Sequence, residues 1–191
     1  EHYAGVIGLQ YTDFGSWVLN PCDNASQCTP TYIGTVGGAQ AGYDLTSVMP
    51  TTGQANYTGG AMGFVVQPVA TNPNNAAEFW GTANLTATFD AHTITGSITG
   101  INAYSVGNSG SGQTLIGTIN DIGLSATISG AQYSGTTSVT GAAGTAFDIS
   151  GATGSIKGGF YGPNAAETAG VFNLSGGTNG TVLEGSFGAK Q

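Results

Sequence analysis

Residues 78–101 carry the pattern that most restricts how this chain can fold. Their sequence, EFWGTANLTATFDAHTITGSITGI, alternates apolar with polar side chains on both sides of a turn at residues 90–93. Successive side chains of a strand point to opposite faces, so this period of two predicts an antiparallel hairpin with one buried face. The buried face is predicted to comprise Leu85, Ala87, Phe89, Ile94 and Ile98, and the outer face Thr86, Thr88, Asp90, Thr93, Thr95 and Thr99.

The same alternation continues along most of the chain and is interrupted by Gly-Asn, Ser-Gly and Asn-Gly turns. About eight strands follow one another between residues 55 and 189. An antiparallel run of this number removes its exposed edges by closing on itself, and the 34 glycines of the chain suit the bends of a tightly coiled sheet. The sequence therefore predicts an all-β fold, an eight-stranded antiparallel barrel.

Charged residues are scarce and their balance is acidic. They make up 6% of the chain, the net charge is −8, and Lys157 and Lys190 are the only cations. Phosphate backbones and anionic lipid surfaces would be repelled, which excludes nucleic acid as a partner. A membrane-spanning barrel would need a bulky lipid-facing band with aromatic girdles, whereas the outward positions here are mostly Thr, Ser and Asn. We therefore expect a soluble barrel with an apolar interior.

Two cysteines lie close together near the start of the chain. Cys22 and Cys28 enclose the sequence DNASQ, and this spacing predicts a disulfide that forms in an oxidising compartment. A metal site is not predicted, because the pair has neither C-x-x-C spacing nor a second pair. The first residues, EHY, do not resemble a signal peptide, so we expect a mature form whose export signal has been removed.

The segment GGFYGPNAAETAGVF, residues 158–172, contains one helix-like turn in a β-rich chain. Gly162 and Pro163 are expected to end a strand, because proline cannot donate to a β-ladder. Asn164 is a favoured N-cap, and Glu167 is placed to reach back to it as in a capping box. We therefore predict a structural turn between two strands. Its flanking aromatic residues are predicted to plug the end of the barrel: Phe160, Tyr161 and Phe172.

Residues that could carry catalysis are few. His2 and His92 are the only imidazoles, and the H-x-x-x-H, G-x-S-x-G and G-x-x-x-x-G-K patterns do not occur. The glycine-rich stretch at residues 107–112 lacks the lysine and the following helix of a phosphate loop. No second carboxylate is placed by the sequence to work with Glu167. The sequence thus predicts neither an enzyme nor a metal centre.

Three separated segments resemble one known family. They are GSIKGGFYGPNAAETAGVFNL, GSFGAK near residue 190, and ANLTATFDAHTITGSITGI, whose hairpin has the form F-D-x-x-T-x-x-G-x-I. They are similar to the eight-stranded barrel domain of the transferrin-binding protein B family, which occurs in bacterial surface lipoproteins and in secreted haemophilins. The resemblance covers residues 55–191. The stretch YTDFGSWVL resembles a strand of that family's handle, so residues 1–54 are predicted to form a small, reduced N-terminal β handle subdomain that carries the cysteine loop.

The resemblance implies a binding protein in iron or haem acquisition, extracellular or on the outer-membrane surface of a Gram-negative bacterium. Haem iron takes an axial His, Tyr or Met, and the candidate ligands are His92 at the hairpin tip and Tyr104 beside a polar loop. For His92 the favoured explanation is an exposed turn residue that tolerates unusual dihedral angles, because the turn needs a polar residue and a haem site would need apolar walls beside it. No cofactor is required by the residues themselves.

The resemblance also implies capture of a host protein through loops, here residues 68–77 and 103–113. An alternative is a structural surface protein, such as an adhesin, a coat or a filament subunit. In that case HYAGVIGLQY at residues 2–11 would pair with a strand edge of another copy. The low charge of the surface is compatible with this self-association.

Overall fold

The computed structural model describes residues 7–19, 32–67, 76–105, 113–177 and 179–191. These residues form eleven strands: β1 Thr12–Leu19, β2 Tyr32–Ala39, β3 Gln54–Val66, β4 Ala76–Thr88, β5 Thr93–Ser105, β6 Leu115–Thr118, β7 Asp121–Ser129, β8 Gln132–Thr140, β9 Ala152–Tyr161, β10 Glu167–Gly176 and β11 Thr181–Lys190. A short 3-10 turn, Pro163–Ala165, connects β9 to β10. We call residues 162–166 the connector.

Eight of these strands close into a barrel. The strands β3, β4, β5, β7, β8, β9, β10 and β11 pair with their neighbours in chain order, and β11 pairs with β3 to complete the circle. Every one of these pairings is antiparallel. The predicted eight-stranded antiparallel barrel is confirmed.

One barrel position is filled by two strands instead of one. The first half of β5 pairs with β7 and the second half pairs with β6. The interruption lies at Asn120, whose buried side chain accepts N–H groups from Ile149 (2.9 Å) and Gly144 (3.3 Å) and donates to Ser150 Oγ (3.3 Å). Asn120 therefore lies between β6 and β7 with its side chain bonded to residues 144–150 instead of to a neighbouring barrel strand.

Apolar side chains from all eight barrel strands fill the interior as one cluster. In the 78–101 hairpin, all five residues of the predicted inner face are buried, and the residues of the predicted outer face are half-buried or exposed. Four further residues of this hairpin are also buried: Glu78, Phe79, Ala83 and Ile101. The aromatic rings of the barrel core that are fully buried are those of Tyr57, Phe79, Phe147, Phe160 and Phe187. The interior is therefore a packed core.

The strands β1 and β2 form a separate two-stranded sheet, here called the handle sheet, which lies on the outer wall of the barrel. Phe14 packs with Leu9 and Met62 in a small second core between the sheet and the wall. At Gly37 the two backbones meet so closely that a Cβ atom would lie 2.2 Å from the carbonyl oxygen of Gly170. The absence of a side chain at Gly37 permits this approach. The predicted boundary between residues 54 and 55 stays a prediction.

The cysteine loop with Cys22 and Cys28 lies outside the described residues, so the disulfide stays a prediction. Within the described ranges, no helix combines the length and the hydropathy that crossing a bilayer requires.

Candidate functional site

The two ends of the barrel differ in their connections. One end, the turn end, carries the short turns at residues 89–92 and 130–131 together with the connector. The other end, the loop end, carries the segments that follow β3 and β5, which lie partly outside the described residues. The two ends therefore form separate surfaces of the molecule.

His92 and Tyr104 lie at opposite ends. His92 is exposed at the turn end with φ of 54°, and its N–H donates to the carbonyl of Phe89 (3.3 Å). Tyr104 is half-buried near the loop end of the same strand, β5. At a strand rise of about 3.3 Å per residue, their separation along β5 is roughly 40 Å. They cannot ligate one iron atom together.

The turn end is closed from within by aromatic rings. Phe160 packs against Tyr57, Phe89 and Tyr133, with ring centroids 5.9, 5.9 and 5.3 Å away. The Tyr57 hydroxyl donates to the carbonyl of Ala165 in the connector (2.8 Å). Burial raises the pKa of Tyr57 to about 12 and raises the pKa of Tyr133 as well. These rings leave the interior at this end filled.

The connector is a structural turn without the predicted capping box. Gly162 occupies the N-cap position with φ of 74° and makes no capping hydrogen bond through a side chain. Asn164 lies inside the turn in the left-handed region, with φ of 54°, so it cannot act as the N-cap. The carbonyls of Asn164 and Ala165 accept the side-chain amide of Gln191 (3.3 and 2.9 Å). The capping-box interpretation was wrong, because the turn is 3-10 and too short for it.

Glu167 binds the start of the handle sheet instead of capping the turn. Its buried carboxylate, at the start of β10, accepts the N–H groups of Gln10 (2.6 Å), Tyr11 (2.9 Å) and Thr12 (2.9 Å), and the hydroxyl of Thr12 (2.8 Å). These four bonds fasten the beginning of β1 to the barrel. No local motif indicates these bonds, because the partners lie more than 150 residues away.

A cleft of about 510 Å³ lies outside the barrel, against the connector. We call it the tyrosine cleft. Its lining residues are Tyr11, Tyr43, Asp44, Leu45, Thr46, Ser47, Val48, Gly162, Pro163 and Asn164. Its shape depends on Gly162, where a Cβ atom would lie 2.5 Å from the ring of Tyr11. Thr46 holds the opposite wall, because its hydroxyl donates to the carbonyl of Gly162 (2.8 Å) and its N–H to that of Phe160 (2.8 Å).

The tyrosine cleft could not be predicted from the sequence. Residues 39–54 showed only a mixed, turn-rich composition, and the one signal was Tyr43 followed by Asp44. The second ring of the cleft, Tyr11, comes from before β1, and only the tertiary fold brings the two together.

The outer face of the handle sheet carries exposed apolar side chains. The ring of Trp17 lies across Gly34, where a Cβ atom would be 2.3 Å from the indole. Trp17 is 47% exposed and the nearby Val36 is 49% exposed. A groove of about 380 Å³ runs between β2 and the barrel wall, with Lys157 and Glu184 among its lining residues. Across the described residues, no group of three or more His, Cys, Asp and Glu side chains could hold a metal ion.

A closed eight-stranded antiparallel barrel, packed solid and carrying a two-stranded sheet on its wall, is a handle-and-barrel domain. The family described as C-lobe and N-lobe beta barrels of Tf-binding protein B matches residues 49–191. The chain belongs to this family, as the three sequence segments had indicated. No curated protein sequence matches the chain.

Solved structures share this fold. Transferrin Binding Protein B of Haemophilus parasuis Hp5 is similar with a TM-score of 0.62 and 20% identity over 96% of this chain and 34% of that one. A protein described as a surface lipoprotein has a TM-score of 0.58 and 19% identity, over 96% and 76%. The isotype 1 protein from serogroup B Neisseria meningitidis has a TM-score of 0.55 and 21% identity, over 96% and 31%. The chain thus spans about a third of the two transferrin-binding proteins.

Proposed function

We propose that this chain is an extracellular or cell-surface binding protein of the transferrin-binding protein B type, and that it acts in iron acquisition by a Gram-negative bacterium. Its partner would be a host protein of the transferrin class. The observation that carries the proposal is the family match over residues 49–191. We propose no catalytic role, since the chain would act by binding alone.

The filled interior supports binding on the outside of the barrel. A barrel that carries a small ligand inside needs a cavity, whereas here side chains from all eight strands occupy that space. Haem would have to bind outside, and His92 offers no apolar walls because Asp90, Ala91 and Thr93 beside it are exposed. A protein partner is therefore favoured over haem.

The exposed face of the handle sheet supplies a suitable anchor. Large aromatic side chains at the centre of an interface contribute much of its binding energy. Trp17 is held flat by Gly34 and flanked by Val36, so it would lose little conformational freedom on binding. We propose that this patch contacts the host protein. Nothing comparable supports assembly of a coat or filament.

The test is surface plasmon resonance with the immobilised chain and human, bovine and porcine transferrins, each iron-loaded and iron-free, with serum albumin as a negative control. We expect saturable binding of at least one transferrin, weakened tenfold or more by Trp17→Ala and unchanged by His92→Ala. Thermal unfolding of both variants confirms that they fold.

Two results would overturn the proposal. The first is the absence of binding to every transferrin tested. The second is a saturable Soret shift on titration with haemin that His92→Ala abolishes, which would replace a protein partner by haem. Binding that survives Trp17→Ala would move the contact away from the handle sheet and so refute that part.

A further inference from the structure

Two aromatic rings in edge-to-face contact form part of the wall of the tyrosine cleft. The rings of Tyr11 and Tyr43 stand nearly perpendicular, with centroids 5.2 Å apart and an interplanar angle of 84°. Tyr43 is 43% exposed, so part of its ring is open to a ligand. Aromatic faces carry partial negative charge and attract cations placed over them.

The charge of the tyrosine cleft also favours a cationic ligand. Asp44 is the one charged residue that lines it, and it is exposed. Neither lysine of the chain lines the cleft: Lys157 borders the groove along β2, and Lys190 donates to the carbonyl of Gly8 on the other side of the connector. With a net charge of −8, the molecule attracts cationic groups to the tyrosine cleft and repels anionic ones.

The remaining lining residues favour a guanidinium among cationic groups. A guanidinium is planar, stacks on an aromatic face and directs five donors in its plane, whereas an ammonium is a compact and strongly hydrated charge. Asp44 offers a carboxylate for a bidentate pair, and Ser47 and Asn164 add side-chain oxygen acceptors. Val48, 75% exposed, provides apolar contact for the residues next to the arginine.

We propose that the tyrosine cleft binds an arginine side chain presented by a loop of the protein partner. The guanidinium lies against the Tyr43 ring and pairs with Asp44. A volume of about 510 Å³ holds an arginine side chain together with adjoining peptide backbone. This inference rests on the proposed function to the extent that the partner is a protein, but it does not require that protein to be a transferrin.

The probe is the peptide acetyl-Gly-Arg-Gly-amide, titrated into the full chain labelled with ¹⁵N and followed by NMR. Acetyl-Gly-citrulline-Gly-amide, which has the same shape without the charge, is the control. We expect saturable shifts at residues 43–48 and 162–164 with the arginine peptide and at least fivefold weaker binding of the citrulline peptide. The Asp44→Asn variant, a change at an exposed position, should weaken arginine binding about five- to tenfold, and Tyr43→Leu should weaken it as well.

Equal binding of both peptides, shifts located elsewhere, or an unchanged affinity in Asp44→Asn would overturn the inference. The transferrin experiment separates this inference from the proposed function. If the arginine peptide binds as expected and no transferrin does, the cleft assignment stands and the identity of the partner fails. If a transferrin binds and Asp44→Asn changes neither interaction, the cleft assignment fails and the proposed function stands.

Discussion

The Glu167→Gln substitution tests whether one buried carboxylate holds the handle sheet on the barrel. In the native chain, Oε1 accepts one hydrogen bond, from Gln10, and Oε2 accepts three, from Tyr11 and Thr12. An amide has only one oxygen. If it takes the place of Oε2, the new NH₂ group faces the Gln10 N–H, so one bond is lost and two donors oppose each other.

The magnitude follows from these contacts. A buried hydrogen bond to a charged group is worth about 1.5–3 kcal/mol, and the three bonds that remain become neutral and weaker. Removing the buried charge offsets part of this loss, because its desolvation no longer has to be overcome. We expect a net loss of about 2–4 kcal/mol, which is roughly a 30- to 900-fold change in the opening equilibrium.

Hydrogen exchange of backbone amides is the assay, because it resolves local opening from global unfolding. We expect faster exchange in β1 and β2 and little change in β7 and β8. Glu184→Gln, which removes the same charge at an exposed position of β11, is the matched control and should change stability by less than about 0.5 kcal/mol. Unaltered exchange in β1, or an equal loss of protection in β7 and β8, would refute the reasoning.

Three other predictions concern packing and pH. Gly37→Ala should lower the free energy of unfolding in urea by about 1–3 kcal/mol, because its Cβ would lie 2.2 Å from the carbonyl oxygen of Gly170. Gly38→Ala is the control and should be tolerated, since its Cβ would have its nearest neighbour at 3.6 Å. Equal urea midpoints for the two variants would contradict this. Phe160→Ala should cost about 3–5 kcal/mol, and a loss below about 1 kcal/mol would show that the aromatic plug does not stabilise the barrel. Burial raises the pKa of Tyr57 from 10.0 to about 12, so the stability that the protonated hydroxyl contributes is complete below pH 10 and is lost as the pH rises towards 12. The urea midpoint should therefore fall between pH 10 and pH 12, and it should fall less steeply in Tyr57→Phe. Identical slopes in the two proteins would contradict this prediction.

The barrel could be predicted because the information that specifies it is local. Alternation in the 78–101 hairpin assigns each side chain to a face without reference to distant residues, and the structure agrees with that assignment. The break between β6 and β7 could not be predicted in this way. It depends on Asn120 meeting the backbone of Gly144 and Ile149, and an asparagine in a β-rich segment gives no sign of such partners.

The candidate sites were less accessible to sequence reasoning for the same reason. The capping box predicted for Glu167 is a local motif with a partner three residues away, whereas the actual partners of its carboxylate belong to the start of the handle sheet. The contact between Tyr11 and Tyr43 likewise joins two segments that only the tertiary fold brings together. His92 was explained either as a haem ligand or as a turn residue, and its φ of 54° agrees with the second explanation.

The pairing of β3 with β11 has a consequence for the order in which the molecule is built. All other neighbours in the barrel are close in sequence and can form hairpins as soon as they leave the ribosome or an export channel. The closing pair joins the first barrel strand to the last, so its formation carries the entropic cost of closing the longest loop. It cannot form before residues 181–190 have emerged. Until then the sheet has two open edges, each a template for pairing with another chain. The interval before closure, rather than the finished barrel, is where aggregation would compete with folding and where a chaperone would be needed.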